Sequence, residues 1–200
     1  MNSILKSHAG EIGRAIRNYK YEKANDGIYL PGSRIFIGGA MKVVDHRDGF
    51  EQTCAIDPNT ITNEGLNYLL NAGLPPGGGY AQISSWYVAP YAGNYTPDGT
   101  LTAAGFPVTA TELTTYTSAT RLALTIVAAT TTMSTGNTGS EALVILNAGA
   151  NVYGAAIVSA SAKSSVTGVC LAAVRFASPR LAMASGDKLS LGYVLTATST

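Results

Sequence analysis

The sequence predicts a mainly β protein: an antiparallel β-sandwich or jelly roll, with a short helix near residues 62–72 and an N-terminal helical arm. Apolar and polar residues alternate in at least six segments after residue 80, as they do in half-buried strands. Turns rich in Gly, Asn, Ser and Thr separate these segments, and no long helical pattern lies between them. The 200 residues, 46% of them hydrophobic, suffice for one sizeable core.

Apolar side chains recur at helical spacing in residues 3–20, away from the basic side chains. We therefore assign residues 1–24 to an amphipathic arm with a stripe formed by Ile4, Leu5, Ile12, Ile16 and Tyr19. Such a helix packs on the body of its own protein or docks into a groove on a partner or a sister subunit. Binding to a membrane surface or to nucleic acid is a weaker alternative, and the narrow stripe without Trp or Phe weakens the membrane case.

Short strands are predicted next, in an extension that covers residues 25–57. Their expected ranges are 28–30, 34–37, 41–44 and 50–56. Asp48 and Gly49 adopt positive φ angles readily, so we expect a hairpin turn there. Asp57 and Pro58 break the strand pattern, and the predicted sandwich domain covers residues 58–200.

A short amphipathic helix follows this break. The Thr62 or Asn63 side chain is suited to cap its first turn, and Glu64 lies where the helix dipole favours a negative charge. Three leucines are expected to face one side of the helix: Leu66, Leu69 and Leu70.

The remaining strands are predicted at 83–89, 122–128, 143–146, 152–158, 169–177 and 188–196. Residues 142–162 are apolar enough to raise the possibility of a membrane span. Polar and glycine residues interrupt them, which favours two strands and a turn.

Charge and cysteine content narrow the function classes. The formal net charge is +1, which does not favour nucleic acid or an anionic membrane as a partner. Cys54 and Cys170 are the two cysteines, and we expect buried free thiols rather than a bridge. The first residues lack the apolar segment of a signal peptide, so export by that route is not expected.

Catalytic residues are scarce. With His8 and His46 as its two histidines, the chain offers no recognisable nucleophile–base set, and we expect neither an enzyme nor a bound cofactor or metal. The segment from Asp45 to Gly49 resembles a metal or acid–base cluster in composition. We interpret it as the solvated tip of a hairpin, because no second cluster completes a coordination shell.

Tyrosine is abundant: the chain has 11 Tyr and 4 Phe. Tyrosines suit surfaces that bury a ring and leave a hydroxyl in water. This favours subunit contacts or a carbohydrate platform, with ordinary strand residues as the plain alternative. The candidate partner-binding aromatics are Trp86, Tyr87, Tyr91 and Tyr95.

Several segments occur in an order that resembles a known family. They are Thr62-Asn-Glu-Gly-Leu-Asn-Tyr-Leu-Leu70, Trp86-Tyr-Val88, Asn94-Tyr-Thr-Pro97, the cluster of Glu112, Tyr116 and Arg121, Ser178-Pro-Arg180, and Gly186-Asp-Lys-Leu-Ser-Leu-Gly-Tyr193. Together they resemble capsid decoration (cement) proteins of tailed bacteriophages, of the jelly-roll or β-sandwich type. The resemblance covers residues 58–197, and the first 57 residues depart from it.

The resemblance implies a non-enzymatic virion structural protein. Such a protein is assembled in the host bacterial cytoplasm and lies on the capsid surface, where it bridges major capsid protein subunits and stabilises the head. Its expected partners are the major capsid protein and copies of itself in a dimer or trimer, without nucleic acid or membrane. The alternative is a tail, baseplate or head-surface protein that binds host glycans.

Overall fold

The structure is a computed structural model that describes residues 22–24, 27–29, 35–73, 81–129 and 134–199. Its strands are β1 Glu22–Ala24, β2 Gly27–Tyr29, β3 Ile35–Arg47, β4 Phe50–Pro58, β5 Thr60–Ile61, β6 Tyr87–Tyr91, β7 Leu122–Ala123, β8 Ser134–Gly136, β9 Ala142–Ile145, β10 Ala150–Val158, β11 Cys170–Met183 and β12 Lys188–Ser199. Its two helices within these ranges are α1 Asn63–Gly73 and α2 Phe106–Thr109.

Two five-stranded antiparallel sheets form the body, which confirms the predicted β-sandwich. The first sheet has the order β5-β11-β10-β6-β7. The second has the order β4-β3-β12-β8, and β9 also pairs with β12. Their inner faces meet in a core that includes Met41, Val43, Ile157, Val174 and Leu191.

The first sheet is covered on both faces. Successive residues of a strand point to opposite faces: Ala155 and Ile157 of β10 enter the core between the sheets, whereas Ala156 and Val158 enter a second cluster. That second cluster is completed by Phe106 of α2 and by other residues of the segment after β6. Because both faces are covered, the end of β10 reads as a continuous buried run.

The β3–β4 hairpin has the predicted turn. Asp48 (φ 52°) and Gly49 (φ 83°) both adopt positive φ, and Arg47 pairs with Phe50 across the turn. The strands predicted at 34–37 and 41–44 are one continuous strand. A Cβ on Gly39 would collide with the Val194 carbonyl oxygen, so glycine permits close pairing here instead of ending the strand.

Helix α1 is confirmed, but its buried face differs from the predicted one. The Gly65 amide donates to the Thr62 hydroxyl over 2.9 Å, so Thr62 caps the helix as expected. Tyr68 is buried and Leu69 packs against the core, whereas Leu70 is 55% exposed. Gly65 faces β11, where a Cβ would collide with the Leu171 carbonyl oxygen. The buried face of α1 therefore includes Gly65 and Tyr68, which a prediction based on the leucines alone leaves out.

The chain divides into two compact units. The larger unit contains Ile37–Ala197, and residues 37–57, which the sequence assigned to an extension, lie within it because β3 pairs with β12. In the other unit, β1 and β2 form a two-stranded antiparallel sheet. The helix predicted over residues 3–20 lies outside the described residues.

Residues 142–162 contain β9, β10 and the turn between them, as predicted. No helix in the described ranges is long and apolar enough to cross a membrane.

Candidate functional site

A groove of about 600 Å³ opens beside α1 and reaches the core between the sheets. Its floor is formed by core residues of the central strands: Ile157, Leu171 and Tyr193. Its walls come from α1, residues 82–86, the segment after β7, and strands β8 and β12. The site is therefore positioned by elements of both sheets.

Two aromatic rings form one wall of this groove. The rings of Tyr68 and Trp86 meet edge to face, with centroids 5.4 Å apart and an interplanar angle of 74°. The Ile83 amide donates to the Tyr68 hydroxyl over 2.7 Å. This bond ties residues 82–86 to the helix and keeps the wall in place.

The four aromatic residues predicted to bind a partner do not form one surface. Trp86 packs against the core between the sheets, whereas Tyr87 and Tyr95 pack against the second cluster. Tyr91 has no exposed surface, and its hydroxyl donates to the Val174 carbonyl oxygen over 2.8 Å. Strand alternation separates Trp86 from Tyr87, and burial removes Tyr91 from any contact surface. The apolar arm residues proposed alongside them, from Ile4 to Tyr19, lie outside the described residues.

A buried ion pair fixes the loops beside the second cluster. Arg121 donates from Nε and Nη2 to the two carboxylate oxygens of Glu112, over 2.8 and 2.7 Å, and both side chains are 1% exposed. The guanidinium also donates to the Ala160 and Ser165 carbonyl oxygens, and the Ser164 amide donates to the Glu112 carboxylate. The pair lies next to the second cluster, because the Arg121 guanidinium is 5.8 Å from the centre of the Phe106 ring.

A second ionic network connects strand β3 of the hairpin to β11. Asp45 is 2% exposed and contacts Arg180 over 3.4 Å and Arg47 over 3.3 Å. Burial raises the pKa of Asp45, but the Thr53 hydroxyl and the two guanidinium groups outweigh it and hold the pKa below its usual value. The turn of the segment from Asp45 to Gly49 is thus a solvated hairpin tip, as predicted. Asp45 itself is buried and ion-paired, which the sequence pattern did not indicate.

Apolar side chains are exposed on β4, the last strand of its sheet. Phe50 is 72% exposed and Ile56 is 69% exposed, and Cys54 between them is also exposed. The expectation of two buried thiols therefore holds for Cys170 and is wrong for Cys54, although both are free. We call the exposed residues Phe50, Cys54 and Ile56 the β4 surface.

Metal ligands are not grouped in the part of the chain that the structure describes: it contains no set of three or more His, Cys, Asp or Glu residues able to hold an ion. Comparisons with family models, with curated proteins and with solved structures gave no match to this chain.

Proposed function

We propose that this chain is a non-enzymatic structural protein of a tailed-bacteriophage virion. In this proposal it decorates the head and stabilises it by bridging major capsid protein subunits, as a dimer or trimer on the capsid surface. The observation that carries the proposal is the β4 surface, because an apolar end strand with large exposed side chains favours association with another protein.

The rest of the sandwich supports the same use of β4. Asp45 of β3 forms an ion pair with Arg180 of β11, and β3 pairs with β4, so β4 lies against a strand that is tied to both sheets. A preorganised surface loses little conformational entropy on binding. In a symmetric shell the same modest contact is repeated many times. Each bound copy raises the free energy needed to separate the capsid subunits beneath it by the free energy of its own binding.

The N-terminal arm has a separate role in this proposal. Its stripe of Ile4, Leu5, Ile12, Ile16 and Tyr19 supplies an amphipathic helix that grips the shell or a sister subunit.

Binding of host glycans through Trp86, Tyr87, Tyr91 and Tyr95, in a tail or on the head surface, is the alternative. It is less favoured because Tyr91 is buried and Trp86 lies in a different cluster from the tyrosines.

The test is co-sedimentation of the purified chain with expanded, undecorated heads of the phage that encodes it. We expect the unchanged chain to sediment with the heads, and Ile56→Glu to weaken binding at least tenfold, because it places a charge in an apolar contact. Val108→Glu is the matched control, since Val108 on α2 is 82% exposed and lies outside β4. Deletion of residues 1–24 tests the arm and is expected to weaken binding strongly.

Each outcome decides one element of the proposal. Equal binding by Ile56→Glu and Val108→Glu rejects the β4 surface as the contact. Undiminished binding after the deletion rejects the arm. If the unchanged chain does not bind heads but gives a signal on a glycan array, the alternative function replaces the proposed one.

A further inference from the structure

Strand β4 is the longest free edge among the described strands. It has nine residues, and within the described ranges it pairs with β3 alone. The other outer strands are short: β5 and β7 have two residues each, β8 has three and β9 has four. A long edge strand presents a row of unpaired N–H and C=O groups to any strand of similar length. Among the described strands, a second copy of the chain offers such a match only in its own β4.

The hydrogen bonds to β3 show which residues of β4 turn these groups outward. The Asn59 amide donates to the Gly39 carbonyl oxygen over 3.0 Å, in the same register as the strand before it. Alternate residues of an antiparallel strand turn their N–H and C=O toward the partner and away from it. Counted back from Asn59, the residues that turn theirs away from β3 include Ile56 and Cys54. Pro58 belongs to the same set, and an edge strand tolerates proline where the missing N–H would face solvent.

The same two residues carry apolar side chains on the outer face of the sheet. Cys54 and Ile56 stand opposite Val44 and Lys42 of β3, whereas Val43 between these two enters the core. Cys54 and Ile56 therefore point away from the core, and Ile56 is 69% exposed. A strand that pairs with this edge covers apolar side chains as well as backbone groups.

From these features we propose that β4 pairs with β4 of a second copy of this chain, antiparallel and around a two-fold axis at Ala55. Cys54 then stands opposite the partner subunit's Ile56, and Ile56 stands opposite the partner subunit's Cys54. Each of these pairs exchanges two backbone hydrogen bonds, because both residues turn their N–H and C=O outward. A two-fold contact uses the same patch on both copies, so one strand supplies both halves of the interface.

The residues of β4 select this register over its neighbours. A two-fold axis at Cys54 would place Glu51 opposite the partner subunit's Asp57, and like charges that stand opposite each other are destabilising. An axis one residue beyond Ala55 would place Pro58, which has no N–H, opposite Cys54. The axis at Ala55 avoids both, because it places each acidic residue opposite an uncharged one.

The pairing deepens the proposed function and rests on it for its role on a viral head. It assigns the expected dimer to the edge of β4. Phe50 of the β4 surface lies outside the paired segment and is left to contact the shell. A dimer makes two such contacts at once, so separation of the two copies also weakens attachment to the head.

Sedimentation velocity of the purified full chain in a reducing buffer tests the pairing. We expect a dimer, with twice the mass of the chain. Cys54→Pro removes an outward N–H that β3 does not use, and it is expected to raise the dissociation constant of the dimer by about tenfold or more. Cys54→Val keeps the N–H and an apolar side chain, and is expected to leave the dimer unchanged.

A second pair of variants leaves the backbone as it is. Ile56→Lys places a charge at the exposed edge and is expected to give a monomer. Val108→Lys is the matched control, because Val108 is 82% exposed and lies on α2. Urea unfolding verifies that all four variants fold.

Oxidative cross-linking tests the register. Ala55 stands opposite the partner subunit's Ala55 in a pair without mutual hydrogen bonds, where Cα atoms are about 4.5 Å apart and a disulfide fits. The double variant Cys54→Ser, Ala55→Cys should therefore form a cross-linked dimer with copper phenanthroline. The unchanged chain should cross-link more slowly, because its Cys54 residues do not stand opposite each other.

Three results overturn the inference: a monomer at every concentration, a dimer that neither Cys54→Pro nor Ile56→Lys weakens, and faster cross-linking of the unchanged chain than of the double variant. Co-sedimentation with heads separates this inference from the proposed function. A monomeric chain that binds heads rejects the pairing and keeps the proposed function. A dimer that β4 variants disrupt, but that does not bind heads, keeps the pairing and rejects the proposed function.

Discussion

Replacing Glu112 by glutamine isolates the energetic role of the buried ion pair. The substitution keeps the size of the side chain and one oxygen acceptor, but it removes the negative charge that two guanidinium nitrogens of Arg121 contact at 2.8 and 2.7 Å. The Arg121 side chain, which is 1% exposed, then loses the counterion that Glu112 provided. Breaking a buried pair from one side typically costs about 3–5 kcal/mol of unfolding free energy.

Urea unfolding monitored by Trp86 fluorescence measures this cost. With a slope of about 2 kcal/mol/M, a loss of 4 kcal/mol lowers the midpoint by about 2 M. Lys42→Met is the matched control: it breaks a 3.7 Å pair with Glu141 whose side chains are 45% and 24% exposed, and it should cost about 0–1 kcal/mol.

The double variant Glu112→Met, Arg121→Met completes the comparison. It leaves no unpaired charge, so we expect it to recover much of the stability that Glu112→Gln loses. The reasoning is refuted if Glu112→Gln costs no more than Lys42→Met, because the buried charge would then be compensated by the carbonyl oxygens around it.

Three further predictions concern packing, thiols and alkaline pH. Gly154→Ala should destabilise the fold by several kcal/mol in urea unfolding, because its Cβ would collide with the Val174 carbonyl oxygen and the Tyr91 hydroxyl, whereas Gly38→Ala, in open space, should be nearly neutral. Iodoacetamide at pH 8 should add one group per native chain, at the exposed Cys54, and two groups per chain unfolded in urea. Cys170 should not react in the native chain, because it is buried and burial raises its pKa to about 12. Mass spectrometry counts the added groups, and two on the native chain would contradict this. Burial raises the pKa of Tyr91 above its usual 10.0, so the contribution of Tyr91 to the free energy of unfolding is present below about pH 10 and is lost as the pH rises further. Urea unfolding should therefore show a smaller loss of stability at alkaline pH for Tyr91→Phe than for the unchanged chain. At neutral pH the same substitution should cost about 1 kcal/mol, because it removes the hydrogen bond to the Val174 carbonyl oxygen.

Local sequence predicted the elements whose causes are local. The Asp48-Gly49 turn forms because both residues tolerate positive φ, and α1 starts at Asn63 because Thr62 accepts a hydrogen bond from its first turn. The alternation of apolar residues likewise placed β10 and β12 within a few residues of their observed ranges. These features depend on neighbours that a short window contains.

Strand ends depended on distant partners instead. The pattern predicted that β11 ends at residue 177, before Pro179, but the strand continues to Met183. The register shifts between Arg175 and Arg180, so an irregularity accommodates the proline and pairing with β10 resumes after it. Similarly, β7 covers only Leu122–Ala123 of the strand predicted at 122–128, and Val127 forms an isolated bridge to Gly136 in the second sheet.

Backbone preferences and alternating hydrophobicity act over a few residues, so the β-sandwich class, the main strands, the capped helix and the hairpin turn could all be predicted from the sequence. The burial of individual polar and aromatic residues depends instead on how distant segments pack together. Asp45 and Arg180 lie far apart in the chain, yet the sandwich brings them within 3.4 Å. Trp86 and Tyr91 belong to one stretch of chain, but one lines a groove and the other is enclosed in the core, since burial is set by the elements that pack on each face of a strand.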